Sequence, residues 1–213
     1  MNKRITASCL IRNHQVWYAG DCLYQHPTET DTLPDFLNSC YRWLGKNYGK
    51  FFKMDTLSKL GWVATELLAN SVSYQTVDVG VILQNRSSSY DVDCQHQATI
   101  QDQTACYPSP ALFVYTLPNI VIGEICIRHN FQGETALFVM PAFDALFQVQ
   151  YVDYLLDQQL MKAGIGGWIE AGPDGYEAFL YAVEVSDDPQ SLPHTAAALS
   201  DLYHAFFSSH CLC

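Results

Sequence analysis

Cys126 and His129 stand three residues apart in an apolar stretch, close to one helical turn. That spacing would let a thiol meet a general base. The same setting suits a buried structural cysteine, the commoner role of a thiol among apolar neighbours. Cys94 and His96, with Cys106, offer three metal-type ligands. Their spacing fits no compact zinc pattern and brings no fourth ligand, so neither a metal nor a cofactor is expected. Arg86-Ser87-Ser88-Ser89 follows a strand-like run, as a phosphate loop would, yet lacks the glycines and the lysine such a loop needs. It reads as the head of a polar loop over 84–103. Asp93, Glu124 and Asp144 are candidate acids. Glu124 is the oddest, because an unpaired carboxylate in an apolar helix is costly, and Arg128 four residues on is its expected partner. Cys211 and Cys213 read as a frayed end.

The elements that must position these groups follow from periodicity. Ile5–Ile11 and Val16–Tyr18 read as strands joined by a turn, and a polar stretch with Pro27 and Pro34 follows. Over 51–70, Leu57, Leu60, Val63, Ala64, Leu67 and Leu68 recur at helical spacing. Val77–Leu83 is a short apolar run rich in β-branched residues, the pattern of a strand buried on both faces. A helix is predicted over 117–129, a strand over 136–140 and a helix over 143–161. Strands over 165–171 and 176–185 follow, then a last helix over 194–207. Strands alternating with helices predict an α/β fold with a mainly parallel, mixed sheet and crossover helices, in one domain spanning 1–213.

Composition narrows the function. With 49% apolar and 15% charged residues over 213 positions, the chain can bury a full core, which excludes disorder, coiled coil and collagen. A formal charge of −11 has the wrong sign for phosphate backbones, so no nucleic acid is expected. No apolar run approaches the ~20 residues of a membrane-spanning helix. The basic start, Met1 to Arg12, carries an apolar stretch too short for a signal peptide and reads as a first strand. The eight cysteines are scattered, which suits reduced thiols in a cytoplasmic protein.

Three segments carry a family resemblance. Pro108-Ser-Pro-Ala-Leu-Phe-Val-Tyr-Thr-Leu-Pro-Asn-Ile-Val-Ile-Gly-Glu-Ile-Cys-Ile-Arg-His-Asn-Phe-Gln-Gly133 resembles the β-ketoacyl synthases of the thiolase fold. A proline turn there leads to a helix with Asn119 and Gly123 four residues apart, then to Gly133 and a strand. Lys53-Met54-Asp55 is similar to the family's entry into its first long helix, and Ala163-Gly-Ile-Gly-Gly-Trp-Ile-Glu170 to its glycine-rich strand. The nearest likeness is to the ketosynthase-like chain-length factors of aryl polyene and flexirubin-type pigment clusters. The resemblance implies the N-terminal half of a thiolase-like fold, with the 194–207 helix appended.

It also implies that the chain is not a catalyst. The family places a nucleophilic cysteine at the start of the helix after the Gly133 strand, where the helix dipole lowers its pKa. Ala142 stands there, or Phe143 if the register slips by one. The family's two active-site histidines belong to a second half beyond these segments. The resemblance instead implies an edge strand over 136–140 that pairs with an active ketosynthase, in a heterodimer serving polyene, polyketide or fatty-acid-like synthesis. Leu117, Ile120, Phe138, Met140 and Phe143 would then line the partner's acyl tunnel. Acyl carrier protein would be met indirectly, with Arg42, Lys46, Lys50 and Lys53 as the basic cluster available to it. Two other readings stay open: a divergent thiol-dependent acyltransferase or hydrolase, and a homodimeric scaffold.

Overall fold

A computed structural model describes residues 2–27, 32–72, 76–102, 104 and 107–205. β1 (Lys3–Arg12) and β2 (Gln15–Tyr18) form a tight hairpin through Asn13 and His14, both at positive φ (48° and 57°), the turn geometry that matches strand twist. β3 (Asp21–Gln25) continues the meander. α1 (Leu33–Leu44) is capped by the Thr32 side chain and stopped by Gly45 in the left-handed region. Pattern reading leaves α1 as polar chain because only Phe36, Leu37 and Cys40 of its residues are buried. α2 (Thr56–Leu68) starts where Asp55 accepts the Ser58 amide, with short 3-10 turns on either side, so the apolar run over 51–70 yields a shorter α-helix than predicted.

β4 (Val79–Asn85) is buried at every residue. α3 (Tyr90–Ile100) replaces the loop expected over 84–103. It buries only Val92 and so carries no apolar stripe, while Asp91 and Asp93 favour its N-terminus. α4 (Pro110–Val114) precedes α5 (Ile120–His129), which starts three residues later than predicted and ends at Asn130, at φ 56°. β5 (Thr135–Val139), α6 (Ala145–Asp157), β6 (Ala163–Gly172) and β7 (Gly175–Val185) follow. β8 (Leu192–Pro193) then leads into α7 (Ala196–Ala205). Phe206 and Phe207, the predicted end of that helix, lie outside the described residues, as do Cys211 and Cys213.

The strands make one eight-stranded sheet in the order β3-β2-β1-β7-β6-β4-β5, with β8 on β1. The α/β class and the mixed sheet are as expected, but parallel pairing is confined to β4 with β5 and with β6. The turns at 13–14 and 173–174 force antiparallel neighbours, since two residues are too few for a parallel crossover. Two helical layers cover the sheet. α1, α2 and α5 pack on one face over a core that includes Leu37, Trp62, Val81, Ile125 and Ile165. α6 and α7 pack on the other over Ile82, Val152, Phe179, Tyr181 and Leu199.

Gly133 is fixed by contact. A Cβ there would lie 2.7 Å from the Val79 carbonyl and 2.8 Å from the Gly80 nitrogen, both backbone atoms that cannot swing aside. Gly133→Ala should therefore destabilise the fold by about 1–3 kcal/mol, read as a lower urea midpoint with an unchanged slope.

Candidate functional site

β5 ends the sheet, hydrogen-bonded among the described strands only to β4, so the edge expected over 136–140 is present at Thr135–Val139. Strand alternation sends Leu137 toward α5 and Phe138 toward α6. α5 lies close beneath the α2 helix because Gly61 leaves room: a Cβ on it would sit 2.7 Å from Val121 Cγ2. Between α5 and β5 runs a groove of about 560 Å³ lined by Asn119, Ile120, Gly123, Cys126, Ala136 and Val139. Gly123 keeps it open, since a Cβ there would touch nothing within 4 Å. Its surroundings are apolar and bare: Leu117 is 57% exposed, Ile127 65% and Val139 55%. Phe113 and Val114 of α4 are exposed too.

Beyond β5 the chain turns through Met140, whose amide donates to the Asn85 carbonyl at 2.8 Å, and then through Pro141, Ala142 and Phe143. Asp144 caps α6 by accepting the Phe147 amide at 2.9 Å. Ala142 thus stands two residues ahead of the cap, exposed. Phe143 is half-buried against Phe179 and Tyr203, with ring centroids 5.5 and 5.0 Å away. Phe138 meets Phe147 and Tyr151 at 4.8 and 4.9 Å. The residues expected to form one wall therefore divide. Leu117 and Ile120 belong to the α5 side, Phe138 and Phe143 to the α6 side, and the sheet edge lies between them.

Ionic partners differ from the expected ones. Glu124 pairs with Lys50 Nζ at 2.7 Å and accepts the Tyr115 hydroxyl at 3.0 Å, rather than meeting Arg128. Arg128 reaches across to Glu66 of α2 and lies 4.8 Å above the Tyr48 ring. Lys46 lies 3.8 Å from the same Glu66. Two of the four basic groups considered for a carrier protein are thus committed to buried carboxylates. Ser87 and Arg86 donate their amides to Glu170 at 3.1 and 2.7 Å, so the Arg86–Ser89 segment tethers strand β6. Asp93 accepts the Ser89 hydroxyl at 3.0 Å.

Burial pushes the Cys126 thiol up to about 11. Burial also pushes His129 down to about 4, against the pull of Glu66, which leaves a weak base beside a reluctant thiol. Cys106 lies outside the described residues. Among those described, no group of three or more His, Cys, Asp or Glu could hold a metal ion. No helix among them is long and apolar enough to cross a membrane.

One arrangement has no sequence signal. Buried Gln84 of β4 accepts the Asp144 amide at 2.9 Å and donates to Gln148 Oε1 at 2.8 Å. Gln148 donates to the Ile82 carbonyl at 2.9 Å. Tyr181 lies 2.9 Å from His194 Nε2, and His194 Nδ1 lies 2.7 Å from Asp153. Lys3 closes the chain, 3.4 Å from Asp153 and 2.7 Å from Asp157. These residues come from five separate stretches, so only folding brings them together. Gly166 makes room for the middle of it, because a Cβ there would fall 2.7 Å from Gln148 Nε2 and 2.8 Å from the Tyr181 hydroxyl.

No protein-family model matches the sequence, and no curated protein matches it. In three dimensions the chain is similar to the ishigamide ketosynthase/chain length factor, with a TM-score of 0.61 and 16% identity over 91% of this chain. It spans 64% of the length of that neighbour. It is similar also to a ketosynthase in complex with its chain length factor from Xenorhabdus doucetiae (TM-score 0.60, 13% identity, 98% of this chain and 92% of that one). A third neighbour is a β-ketoacyl synthase from Burkholderia phymatum (0.54, 9%, 87% and 59%). The fold is the ketosynthase-like α/β fold that the three motif segments imply.

The Asp153 carboxyl carries a pH dependence. Burial raises its pKa, but the His194 hydrogen bond and the charges of His194 and Lys3 outweigh burial and hold it below the ordinary carboxylate range. A depressed folded pKa contributes stability above the unfolded value and loses it as pH falls through the folded one. Asp153→Asn should therefore lower stability near neutrality and flatten its fall below about pH 4, measured as urea midpoints across pH.

Proposed function

We propose that this chain is a non-catalytic β-ketoacyl-ACP-synthase-like subunit of the chain-length-factor type. It pairs with an active ketosynthase and shapes its acyl tunnel in polyene, polyketide or fatty-acid-like biosynthesis. The observation that carries this reading is the open β5 edge beside the α5 groove. An unpaired strand offers a ladder of amides and carbonyls to a partner strand. The exposed Leu117, Ile127 and Val139 offer the apolar core that an obligate interface needs. The two neighbours described as ketosynthase with chain length factor support the kind of partner.

Ala142 at the turn supports a role without thioester formation. The raised Cys126 thiol weighs against the alternative of a thiol-dependent acyltransferase or hydrolase. On this reading Ile120 and Leu117 sit on the groove side of the joint and Phe138, Met140 and Phe143 on the other, so an acyl chain passing the edge would be stopped by side-chain bulk alone. Asn119, Gly123 and Gly133 are the structural residues of that joint. The chain forms a single domain with α7 appended, works in the cytoplasm, and meets acyl carrier protein through its partner.

Mass in solution tests the pairing, with the protein purified alone and then co-expressed with the ketosynthase encoded nearest to it. A one-to-one complex that forms only on co-expression is expected. A homodimer or monomer indifferent to that ketosynthase would favour the scaffold reading and reject this one. Gly123→Phe should fill the groove without touching the fold, leaving thermal stability within about 0.5 kcal/mol and weakening the pairing at least about tenfold.

A further inference from the structure

A second cavity, of about 280 Å³, opens beside the Ala142 turn at the C-terminal ends of β4, β5 and β6. Crevices outside the carboxyl ends of parallel strands are where α/β sheets commonly take ligands. Trp168 and Glu170 of β6 form part of its wall, opposite Phe179 and Glu177 of β7 and so on the face covered by α6 and α7. Each of the two leaves one buried polar atom without a hydrogen-bond partner. The Trp168 indole N–H, on a residue 4% exposed, has no acceptor among the described residues, and Glu170 Oε1, on a residue 6% exposed, has no donor. Glu170 Oε2 is already taken by the Arg86 and Ser87 amides, at 2.7 and 3.1 Å. A buried donor and a buried acceptor left open in one wall are what a bound polar molecule would complete.

Charge narrows the kind of molecule. Glu170 and Glu177 stand directly across from each other on neighbouring strands, an arrangement that two like charges disfavour. Glu177 is answered by Arg12 and by the Tyr203 hydroxyl, which donates to it at 2.6 Å. Arg86, on the rim, gives its guanidinium to Asp174 at 2.9 Å. Glu170 is therefore the carboxylate of this wall with no cationic partner among the described residues, and a buried carboxylate so placed is costly. A monocation that donates to Oε1 would supply the missing charge and the missing hydrogen bond together. The rings of Phe143, Trp168, Tyr176 and Tyr203 line the same space, and aromatic faces attract ammonium groups. The indole N–H asks in addition for an oxygen on the same molecule.

We propose that this cavity binds a small primary ammonium that carries a hydroxyl or carbonyl oxygen, an amino alcohol being the simplest case. The ammonium donates to Glu170 Oε1 and the oxygen accepts from the Trp168 indole N–H; no covalent bond forms. A quaternary ammonium would meet the rings but has no proton to give Oε1. A neutral amide could bridge the two open atoms but would leave the carboxylate uncompensated. The site shares only Phe143 with the acyl wall proposed above and uses nothing of the α5 groove. It stands or falls apart from any pairing with a ketosynthase.

The indole N–H signals of the four tryptophans in the nitrogen-15-labelled full chain read the site by NMR at neutral pH, with the Trp168 signal assigned by its loss in Trp168→Phe. Ethanolamine, choline and N-acetylethanolamine are the probes, titrated in turn. Ethanolamine should move the Trp168 signal saturably, and the other two should bind at least about tenfold more weakly. Glu170→Gln should weaken ethanolamine by a similar factor of at least about ten. The comparison among probes needs no variant, so it decides the matter even where Glu170→Gln fails to fold. A Trp168 signal unmoved by about 20 mM ethanolamine would overturn the proposal. Equal binding of choline would leave only an aromatic cage, and equal binding of N-acetylethanolamine only a neutral polar cleft; either result rejects it, as would undiminished binding by folded Glu170→Gln.

Discussion

Complete burial of β4 is the constraint on which the rest of the molecule depends. All seven of its residues are inaccessible, and it holds β5 on one side and β6 on the other. Five of them are apolar or glycine, but Gln84 and Asn85 at its C-terminal end carry amides into the buried interior. A buried amide left unpaired costs about 1–3 kcal/mol, so these two residues dictate what surrounds them. Gln84 takes the Asp144 backbone and the Gln148 side chain, which sets where α6 begins. Asn85 takes the Ser88 carbonyl at 2.9 Å through its side chain and gives its own carbonyl to Met140. The turn holding Ala142 is thereby pinned from both ends, and its position is a consequence of strand burial.

The opposite face is organised by charge. Glu66 and Glu124 are buried carboxylates on α2 and α5, and each would be prohibitively costly alone. Arg128 and Lys46 answer the first, and Lys50 and the Tyr115 hydroxyl answer the second. Arg128 also lies over Tyr48 and Trp62, so one guanidinium ties the segment before α2 to both helices. These pairs fix the distance between α2 and α5, and hence the wall of the groove beside β5. An acidic chain with eleven basic residues has few to spare for a carrier-protein patch once these are spent.

Much of the fold was legible because it rests on periodicity. β1, β2, β4, β6, β7, α5 and α6 have apolar patterns that single residues state plainly. α1 and α3 were hidden for one physical reason: a helix that buries one to three side chains on a polar surface leaves no stripe to read. The parallel fraction was over-read because strand and helix order says nothing about two-residue hairpins. The Glu124 partner was misread because sequence offers only neighbours along a helix, whereas Lys50 comes from another segment. The buried polar pairs Gln84–Gln148 and Tyr181–His194 had no signal at all, since each member alone is an ordinary polar residue.

The edge strand and the buried Gln84–Gln148 pair are linked by the same two-residue period. Along β4, Val81 and Leu83 face the α2 and α5 layer while Ile82 and Gln84 face α6. Along β5, Leu137 takes the first side and Phe138 the second. A partner strand added at β5 would extend both faces at once: beyond the groove on the side of Ile120 and Gly123, and beyond the aromatic cluster of Phe138, Phe147 and Tyr151 on the other. A shift of one residue in that pairing would exchange the two faces of the partner. The added strand must therefore present an apolar side chain to the α5 groove and a shape fitted to the aromatic cluster, alternately. That requirement is met by few strands, and it is what would let an edge so open choose one partner.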